Sequence, residues 1–254
     1  MNKPILTFIG GDCRMEAAQR TVAEAGISVS PWPSDICSHL VLPLPAFLGD
    51  SVRGGPTVAE VLEWIRPGMT VLGGMLGPHQ QALEAAGATL LDYYEDEALV
   101  AANAEITAEA ATALVMERLP VTLRNTRCLI LGWGRIGQLL AKKLAALGAH
   151  VTVSARKPRD LGLISAMGYT PMEMPPKLGQ FQVIFSTVPV RLLERKQLMQ
   201  PDPQCLLIEL AAGMEPIQER PYIRAAGLPG TYAPESAGVL IGKTILKLIE
   251  RCPK

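Results

Sequence analysis

Short apolar runs alternate along this chain with longer segments in which apolar residues return every three to four positions. In the first hundred residues the runs at 5–9, 39–44, 70–73 and 89–92 read as buried strands, and 15–25, 57–66 and 78–86 as the helices between them. Gly26 closes the first helix, and Thr57, just after Pro56, is the expected N-cap of the second. Residues 47–55, rich in glycine and carrying Asp50 and Arg53, read as a loop. Repeated strand–helix alternation predicts a parallel sheet with helices on both faces.

From 96 to 118 the chain is rich in alanine, and the polar stretch 103–107 predicts two helices meeting there, with Thr107 capping the second. The alternation then resumes, with strands expected at 128–131, 150–154, 182–187 and 204–210 and short helical or weak strand segments between them. A last helix at 234–251 carries Val239, Leu240, Ile245, Leu246 and Ile249 on a core-like face. The fold class expected is α/β, with two doubly wound parallel-sheet domains, the second a Rossmann dinucleotide-binding domain. The boundaries expected are 1–105 for the first domain and 106–233 for the second, with 234–254 as a helix packing back across both.

The second block opens on Gly132-Trp133-Gly134-Arg135-Ile136-Gly137, a G-x-G-x-x-G turn between an apolar run and an amphipathic helix. The glycines divide the work: Gly132 permits the tight turn, Gly134 lets a pyrophosphate approach, and Gly137 lets the helix pack close to the strand. The pyrophosphate would then meet unpaired N–H groups at a helix N-terminus. After the next strand come Ala155, Arg156 and Lys157, where an NAD site usually places a carboxylate for the ribose hydroxyls. Basic residues there attract a 2′-phosphate and Ala155 leaves it room, so NADP is expected in preference to NAD. The alternative is two solvated basic residues, with Asp160 close by in sequence. Thr187, Val188 and Pro189 follow a core strand and are expected on the nicotinamide side. Glu209, at another strand exit, reads equally as a cap for the next helix.

In the first block, Asp12 and Arg14 lie between a strand end and a helix start, where ligands bind in open α/β sheets. Arg14 there suits a substrate carboxylate with Asp12 fixing it, or else Asp12 caps the helix and Arg14 is solvated. Asn103 and Thr107 mark a junction between domains, a frequent place for small ligands, or simply a solvated connector.

Composition narrows the classes further. Lysine plus arginine number 24, as do aspartate plus glutamate, and 48% of residues are hydrophobic, so no nucleic-acid or polybasic membrane footprint is present. Five cysteines without a C-x-x-C pair point to a reducing compartment and away from a metal site. The apolar run at 5–9 is too short for a signal peptide, and no uninterrupted apolar stretch reaches membrane-spanning length. The expectation is a soluble cytoplasmic protein.

With these motifs placed, the chain resembles the A subunits of the dipicolinate synthases of spore-forming bacteria. The resemblance is carried by Gly10-Gly11-Asp12 with Arg14, by Leu42-Pro43, by Asn103, Thr107 and Glu109, and by Gly132 to Gly137 with Ala145-Ala146-Leu147-Gly148-Ala149. It continues in Ala155-Arg156, Thr187 with Pro189, Leu228-Pro229-Gly230, Ala233-Pro234 and Ala237-Gly238. The chain departs from that pattern in being shorter between Gly26 and His39 and in having Ile106 and Ala110 where the family tends to have proline and glycine.

The resemblance implies NADP-linked oxidation of dihydrodipicolinate to pyridine-2,6-dicarboxylate during sporulation, with a partner, the flavoprotein-like B subunit; a homo-oligomer is a separate expectation. It implies Arg14, with Arg53 or Arg191, as holders of a dicarboxylate, and Asn103 and Thr107 as further substrate contacts. Asp12, Glu105 and Glu109 are the candidate proton acceptors, with no choice among them. Two other readings compete. A D-2-hydroxyacid dehydrogenase has a similar layout but calls for a histidine base, and His39, His79 and His150 all precede the second half of the cofactor domain. A protein that binds NADP or scaffolds a partner without turnover needs no acid–base pair at all.

Overall fold

The structure, a computed structural model, describes residues 4–211 and 213–251. The end of the expected C-terminal segment, 252–254, and Ala212 lie outside the described residues. The chain divides at Asn103 and Ala233: the described residues up to Asn103 together with those from Ala233 form one unit, and Ala104–Tyr232 the other.

The first unit runs β1 (Ile5–Phe8), α1 (Cys13–Glu24), β2 (Ser28–Ser30), β3 (His39–Val41), β4 (Phe47–Leu48), β5 (Ser51–Val52), α2 (Val58–Trp64), β6 (Thr70–Gly73), α3 (Gln80–Ala85) and β7 (Thr89–Asp92), then enters α4 (Glu97–Arg118). Its five-stranded sheet has the order β2-β1-β3-β6-β7, every pair parallel. Alternate residues face opposite sides. Leu40 and Val71 pack with Val58, Val61 and Leu83 from α2 and α3, while Leu6, Val41 and Leu72 pack with Val22 of α1. Helices therefore cover both faces. Thr57 caps α2 in a full capping box with Glu60, as its position after Pro56 predicts.

Three local expectations differ from what forms. Residues 47–55 contain the hairpin β4–β5, with Phe47 opposite Val52. Strand β2 pairs with β1 although Ser28-Val29-Ser30 is too short to show a period. Helix α4 is one continuous helix and not two. The polar residues at 103–107 sit among alanines with no glycine or proline between 97 and 118, so nothing stops propagation. The N-terminal cap is Asp96, whose Oδ1 accepts from the N–H groups of Ala98 and Leu99 at 3.0 and 3.1 Å. Thr107 is buried inside the helix. By length and composition α4 is apolar enough to cross a membrane. Leu99 nevertheless packs into the first unit's core and Ala108, Ala111 and Val115 into the second's, the pattern of a core helix.

The second unit continues with β8 (Arg127–Leu131), α5 (Arg135–Ala146), β9 (His150–Ala155), α6 (Pro158–Ala166), β10 (Thr170–Glu173), β11 (Val183–Ser186), α7 (Arg195–Leu198), β12 (Leu206–Glu209), β13 (Tyr222–Arg224) and α8 (Leu228–Tyr232). Its six strands are all parallel in the order β10-β9-β8-β11-β12-β13, the 3-2-1-4-5-6 order of a Rossmann domain. Cys128, Ile130, Val153, Val183 and Phe185 face α4, α5 and α6 through Val115, Leu140, Leu144 and Ile164. Leu129, Leu131, Ile184 and Leu207 face a side closed by irregular chain and Leu198 of α7. Burial raises the thiols of Cys128 and Cys205 to about 12, so both act as small apolar residues.

The chain ends in α9 (Pro234–Arg251), which returns to the first unit and lies along α1. Ile241 and Ile245 are buried in that core, and ion pairs join Arg20 to Glu235 and Lys247 to Asp96. The helices touch through Gly238 and Gly242: a Cβ at Gly238 would stand 2.2 Å from the Arg14 carbonyl oxygen and 2.5 Å from the Ala17 Cβ. Gly238→Ala is expected to destabilise the first unit by about 1–3 kcal/mol, because backbone rather than a flexible tip would have to yield. Gly162→Ala in α6, with nothing within 4 Å, should leave the melting temperature unchanged or raised. Thermal denaturation of the two variants checks this.

Candidate functional sites at the strand exits

In a parallel sheet every strand ends at the same edge, and the loops diverge where the strand order reverses. In the second unit that point lies between β8 and β11, which pair from Val183 with Cys128 to Ser186 with Leu131. The turn after β8 is held by the Gly132 N–H donating to the Ser154 carbonyl at 3.0 Å. Beside it, the Thr187 hydroxyl and N–H both donate to the Leu131 carbonyl at 2.9 and 3.0 Å.

The three glycines differ in what surrounds them. Gly132 has φ +103°, and a Cβ on it would meet Thr187 Oγ1 at 2.7 Å and Val188 Cγ1 at 2.8 Å. A Cβ at Gly137 would lie 2.4 Å from the Gly132 carbonyl oxygen, so this glycine brings α5 against the turn. Gly134 faces open space, with nothing within 4 Å of where a Cβ would be, and it stands at the N-cap of α5. An anion can reach the helix's first N–H groups there.

A groove of about 240 Å³ runs over this turn, lined by Gly132, Trp133, Gly134, Ala155, Arg156, Lys157 and Val188 among others. These predicted residues come together on one surface. Arg156 and Lys157 are exposed just beyond the buried end of β9. Asp160 lines the same groove from the first turn of α6. Arg135 lies exposed in the first turn of α5, whereas Ile136 packs against the core. Pro189 is exposed next to Val188. The groove suits a dinucleotide, with an open cradle for phosphate and basic residues where the adenosine ribose is expected.

Met174, Val190 and Leu192 also line the groove, and no motif in the sequence marks them. Leu192 is placed by Glu209. Its buried carboxylate accepts from the Ala211 N–H at 2.7 Å and the Met214 N–H at 2.5 Å, so it caps a turn and not a helix. Within that turn, the Gly213 carbonyl accepts from the N–H groups of Leu192 and Leu193 at 2.7 and 3.0 Å. Glu209 thus fixes Leu192 and Leu193 through one intervening turn.

In the first unit the strand order reverses between β1 and β3, and Gly10, Gly11, Asp12 and Arg14 come directly after β1. Both sequence roles of Asp12 are realised at once. Its Oδ1 caps α1 by accepting the Arg14 N–H at 3.0 Å, and its carboxylate takes Arg14 Nε at 2.9 Å and Nη2 at 2.8 Å. Arg14 Nη2 also donates to the Leu44 carbonyl at 2.6 Å. Arg14 is not a solvated side chain: it is 5% exposed, inside the second residue of the helix. Burial opposes charge on Asp12, but the Arg14 hydrogen bonds and charge, with a contribution from Arg53, hold its carboxyl below the ordinary value.

The remaining candidates are spread along α4. Asn103 belongs to the first unit, and Glu105, Thr107 and Glu109 to the second. Glu105 is paired with Lys143 of α5 at 2.6 Å. Glu109 is exposed. Of the histidines, His150 opens β9, at the opposite end from that strand's exit; in the first unit His39 opens β3 beside the Ser38 hydroxyl, and His79 bonds the Gly49 carbonyl. Among the described residues no cluster of three or more histidine, cysteine, aspartate or glutamate side chains is arranged for a metal.

With this geometry in place, comparison with known proteins gives a consistent picture. Residues 99–214 match the family model for the D-isomer specific 2-hydroxyacid dehydrogenase NAD binding domain. The dipicolinate synthase A subunit of Bacillus subtilis (strain 168) is 29% identical over 170 residues, which span 63% of this chain and 57% of that relative. Two solved structures share the fold over nearly the whole chain. The dipicolinate synthase A chain from Bacillus subtilis has a TM-score of 0.83 and 22% identity, covering 98% of this chain and 97% of its own. Its counterpart from Bacillus halodurans has a TM-score of 0.84 at 22% identity, covering 98% of each chain. The resemblance carried by the motifs is thus matched in sequence and fold, and the second unit is of the nicotinamide-dinucleotide-binding kind.

Two outcomes follow from the glycine geometry and the Asp12–Arg14 pair. Gly137→Ala should lower the melting temperature by several degrees, whereas Gly134→Ala, at an ordinary φ of −80°, should melt like the wild type yet lose dinucleotide affinity. Calorimetric melting and cofactor titration of both variants separate the two. Asp12→Asn leaves Arg14 without its counter-charge and should cost on the order of 2 kcal/mol at pH 7. A carboxyl held low in the folded state adds stability above its unfolded value near 3.8 that is lost as pH falls further, so the gap between wild type and variant should close in acid. Denaturant melts from pH 7 down to pH 3 test the sign.

Proposed function

We propose that this chain is an NADP-dependent oxidoreductase that converts dihydrodipicolinate to dipicolinate, acting as the A subunit of a dipicolinate synthase during sporulation. The observation that carries the cofactor assignment is the β9 exit: Ala155, Arg156 and Lys157 lie on the same groove as the open Gly134 cradle. The substrate is supported by the similarity to the Bacillus subtilis protein.

The residues that hold the cofactor are Gly132 to Gly137 at the pyrophosphate, Arg156 and Lys157 at the 2′-phosphate, and Thr187, Val188 and Pro189 on the nicotinamide side. When bound, the nicotinamide supplies the hydride acceptor: a ring C–H bond of dihydrodipicolinate breaks, one proton leaves, and aromatic pyridine-2,6-dicarboxylate and reduced cofactor result. Asn103 and Thr107 are substrate residues of this reading; Arg14, buried and paired with Asp12, shapes the strand exit beneath the substrate. Of the candidate proton acceptors, Asp12 is held low by Arg14 and Glu105 is paired with Lys143. Glu109 is exposed and makes no hydrogen bond or ion pair among the described residues, so its carboxylate is the one of the three not already engaged. The proposal includes a partner in the form of a flavoprotein-like B subunit, a homo-oligomer and a cytoplasmic setting.

Two observations favour other readings. That two of three candidate bases are already paired is what a cofactor-binding subunit without turnover would show. The family match over 99–214 favours a 2-hydroxyacid dehydrogenase, against which stands the sequence, which has no histidine after His150.

Purified chain, with and without a B-type partner, should be mixed with enzymatically generated dihydrodipicolinate or a D-2-hydroxy acid and either NADP⁺ or NAD⁺. Reduced cofactor and dipicolinate rising together with NADP⁺ is the expected result. Turnover of the hydroxy acid, or cofactor binding with no turnover, would install the corresponding rival. Arg156→Ala should weaken NADP⁺ binding roughly 10- to 100-fold and leave NAD⁺ binding nearly unchanged, as read by nucleotide titration.

A further inference from the structure

The exit of β1 holds two arginines and one carboxylate, and only one of the arginines is committed. Asp12 takes the Nε–Nη2 edge of Arg14, and the Leu44 carbonyl takes a further Nη2 hydrogen, so that pair is electrically closed. Arg53 belongs to the same exit through its backbone. Its carbonyl accepts the Gly11 N–H at 2.7 Å, its N–H donates to the Ala46 carbonyl at 2.9 Å, and it comes immediately after β5. Four glycines make this seam: a Cβ at Gly54 would stand 2.5 Å from the Gly11 carbonyl oxygen, one at Gly55 2.9 Å from the Gly10 Cα, and one at Gly10 2.8 Å from the Arg53 carbonyl oxygen. The hairpin is therefore locked onto the strand exit by backbone contact, and Arg53 is carried with it.

The side chain of Arg53 is half-buried and makes no hydrogen bond or ion pair among the described residues, although it lies near enough to Asp12 for its charge to be felt there. With Arg14 and Asp12 cancelling, the strand exit keeps one positive charge, and that charge is Arg53's. The α1 N-terminus would compete for an anion, but Asp12 already caps it and a second negative group would meet that carboxylate. A singly charged planar carboxylate matches that one guanidinium in charge and in fork geometry.

We propose that Arg53 is the residue that binds a substrate carboxylate in the first unit, and that Asp12 and Arg14 are the platform that places it. The inference rests on the reading that the substrate is a dicarboxylate, and it moves the charged contact from Arg14, where the motif suggests it, to the hairpin.

The test uses the full chain with three probes: pyridine-2,6-dicarboxylate, pyridine-2-carboxylate and inorganic phosphate, each titrated calorimetrically into wild type, Arg53→Ala and Arg53→Lys. Wild type should prefer the dicarboxylate to both other probes. Arg53→Ala should weaken it roughly 10- to 100-fold, the loss expected for a charge-assisted hydrogen bond, and erase the preference over the monocarboxylate. Arg53→Lys should recover part of the affinity. NADP⁺ affinity and melting temperature should stay at wild-type values in both variants, because the Arg53 backbone contacts are kept. Equal dicarboxylate affinity in wild type and Arg53→Ala would overturn the inference while leaving the proposed substrate standing. Arg53-dependent binding of the monocarboxylate alone would uphold the site and overturn the substrate. Phosphate as the preferred probe, or no binding of any probe by wild type, would overturn the site.

Discussion

Close approach of backbone to backbone at the exit of the first strand is the constraint on which both units depend. In the second unit α5 can start directly over the β8 turn only because a side chain is absent at Gly137, 2.4 Å from a carbonyl oxygen. In the first unit the hairpin β4–β5 can close on the β1 exit only because Gly54 and Gly55 meet Gly10 and Gly11. A parallel sheet leaves the N–H groups at this edge without ladder partners, and what fills the space decides what the edge can bind.

The two units fill it in opposite ways. At α5 the N-cap is a glycine with open space before it, so the helix's partial positive charge stays available to a phosphate. At α1 the N-cap is Asp12, whose carboxylate satisfies the helix and then neutralises a buried arginine. The α5 site offers backbone donors to an anion, and the α1 site offers only the charge on a side chain. One topology thus leaves two differently charged strand exits, with the capping residue a main difference between them.

Behind each edge lies a buried polar group that works through the main chain. Glu209 lies in the second unit's interior, yet its partners are N–H groups of a turn that positions Leu192. Tyr93 is fully buried in the first unit, and its hydroxyl donates to the Leu42 carbonyl at 2.9 Å, tying the end of β7 to the exit of β3. Burial pushes the Tyr93 phenol above its ordinary range, so it remains a neutral donor. In both cases a satisfied hydrogen bond offsets the cost of burying the group and sets loop geometry that apolar packing alone would leave loose.

By itself the sequence determined the periodic elements, the strand–glycine–helix–strand unit, the division of labour among Gly132, Gly134 and Gly137, and the basic β9 exit, because each depends on residues close together in the chain. The same holds for the capping box at Thr57 and for the limits of α9 at Pro234 and Arg251. Tertiary structure alone decided the rest. The hairpin at Phe47–Leu48 and Ser51–Val52 forms because Gly10 and Gly11, far away in the chain, accept it. Arg14 reads as solvated or as held by Asp12, and only folding buries it to 5% exposure and adds the Leu44 carbonyl beyond β3. Hydrophobic period and capping are local quantities. Which charge stays uncompensated is a sum over groups that only folding brings together.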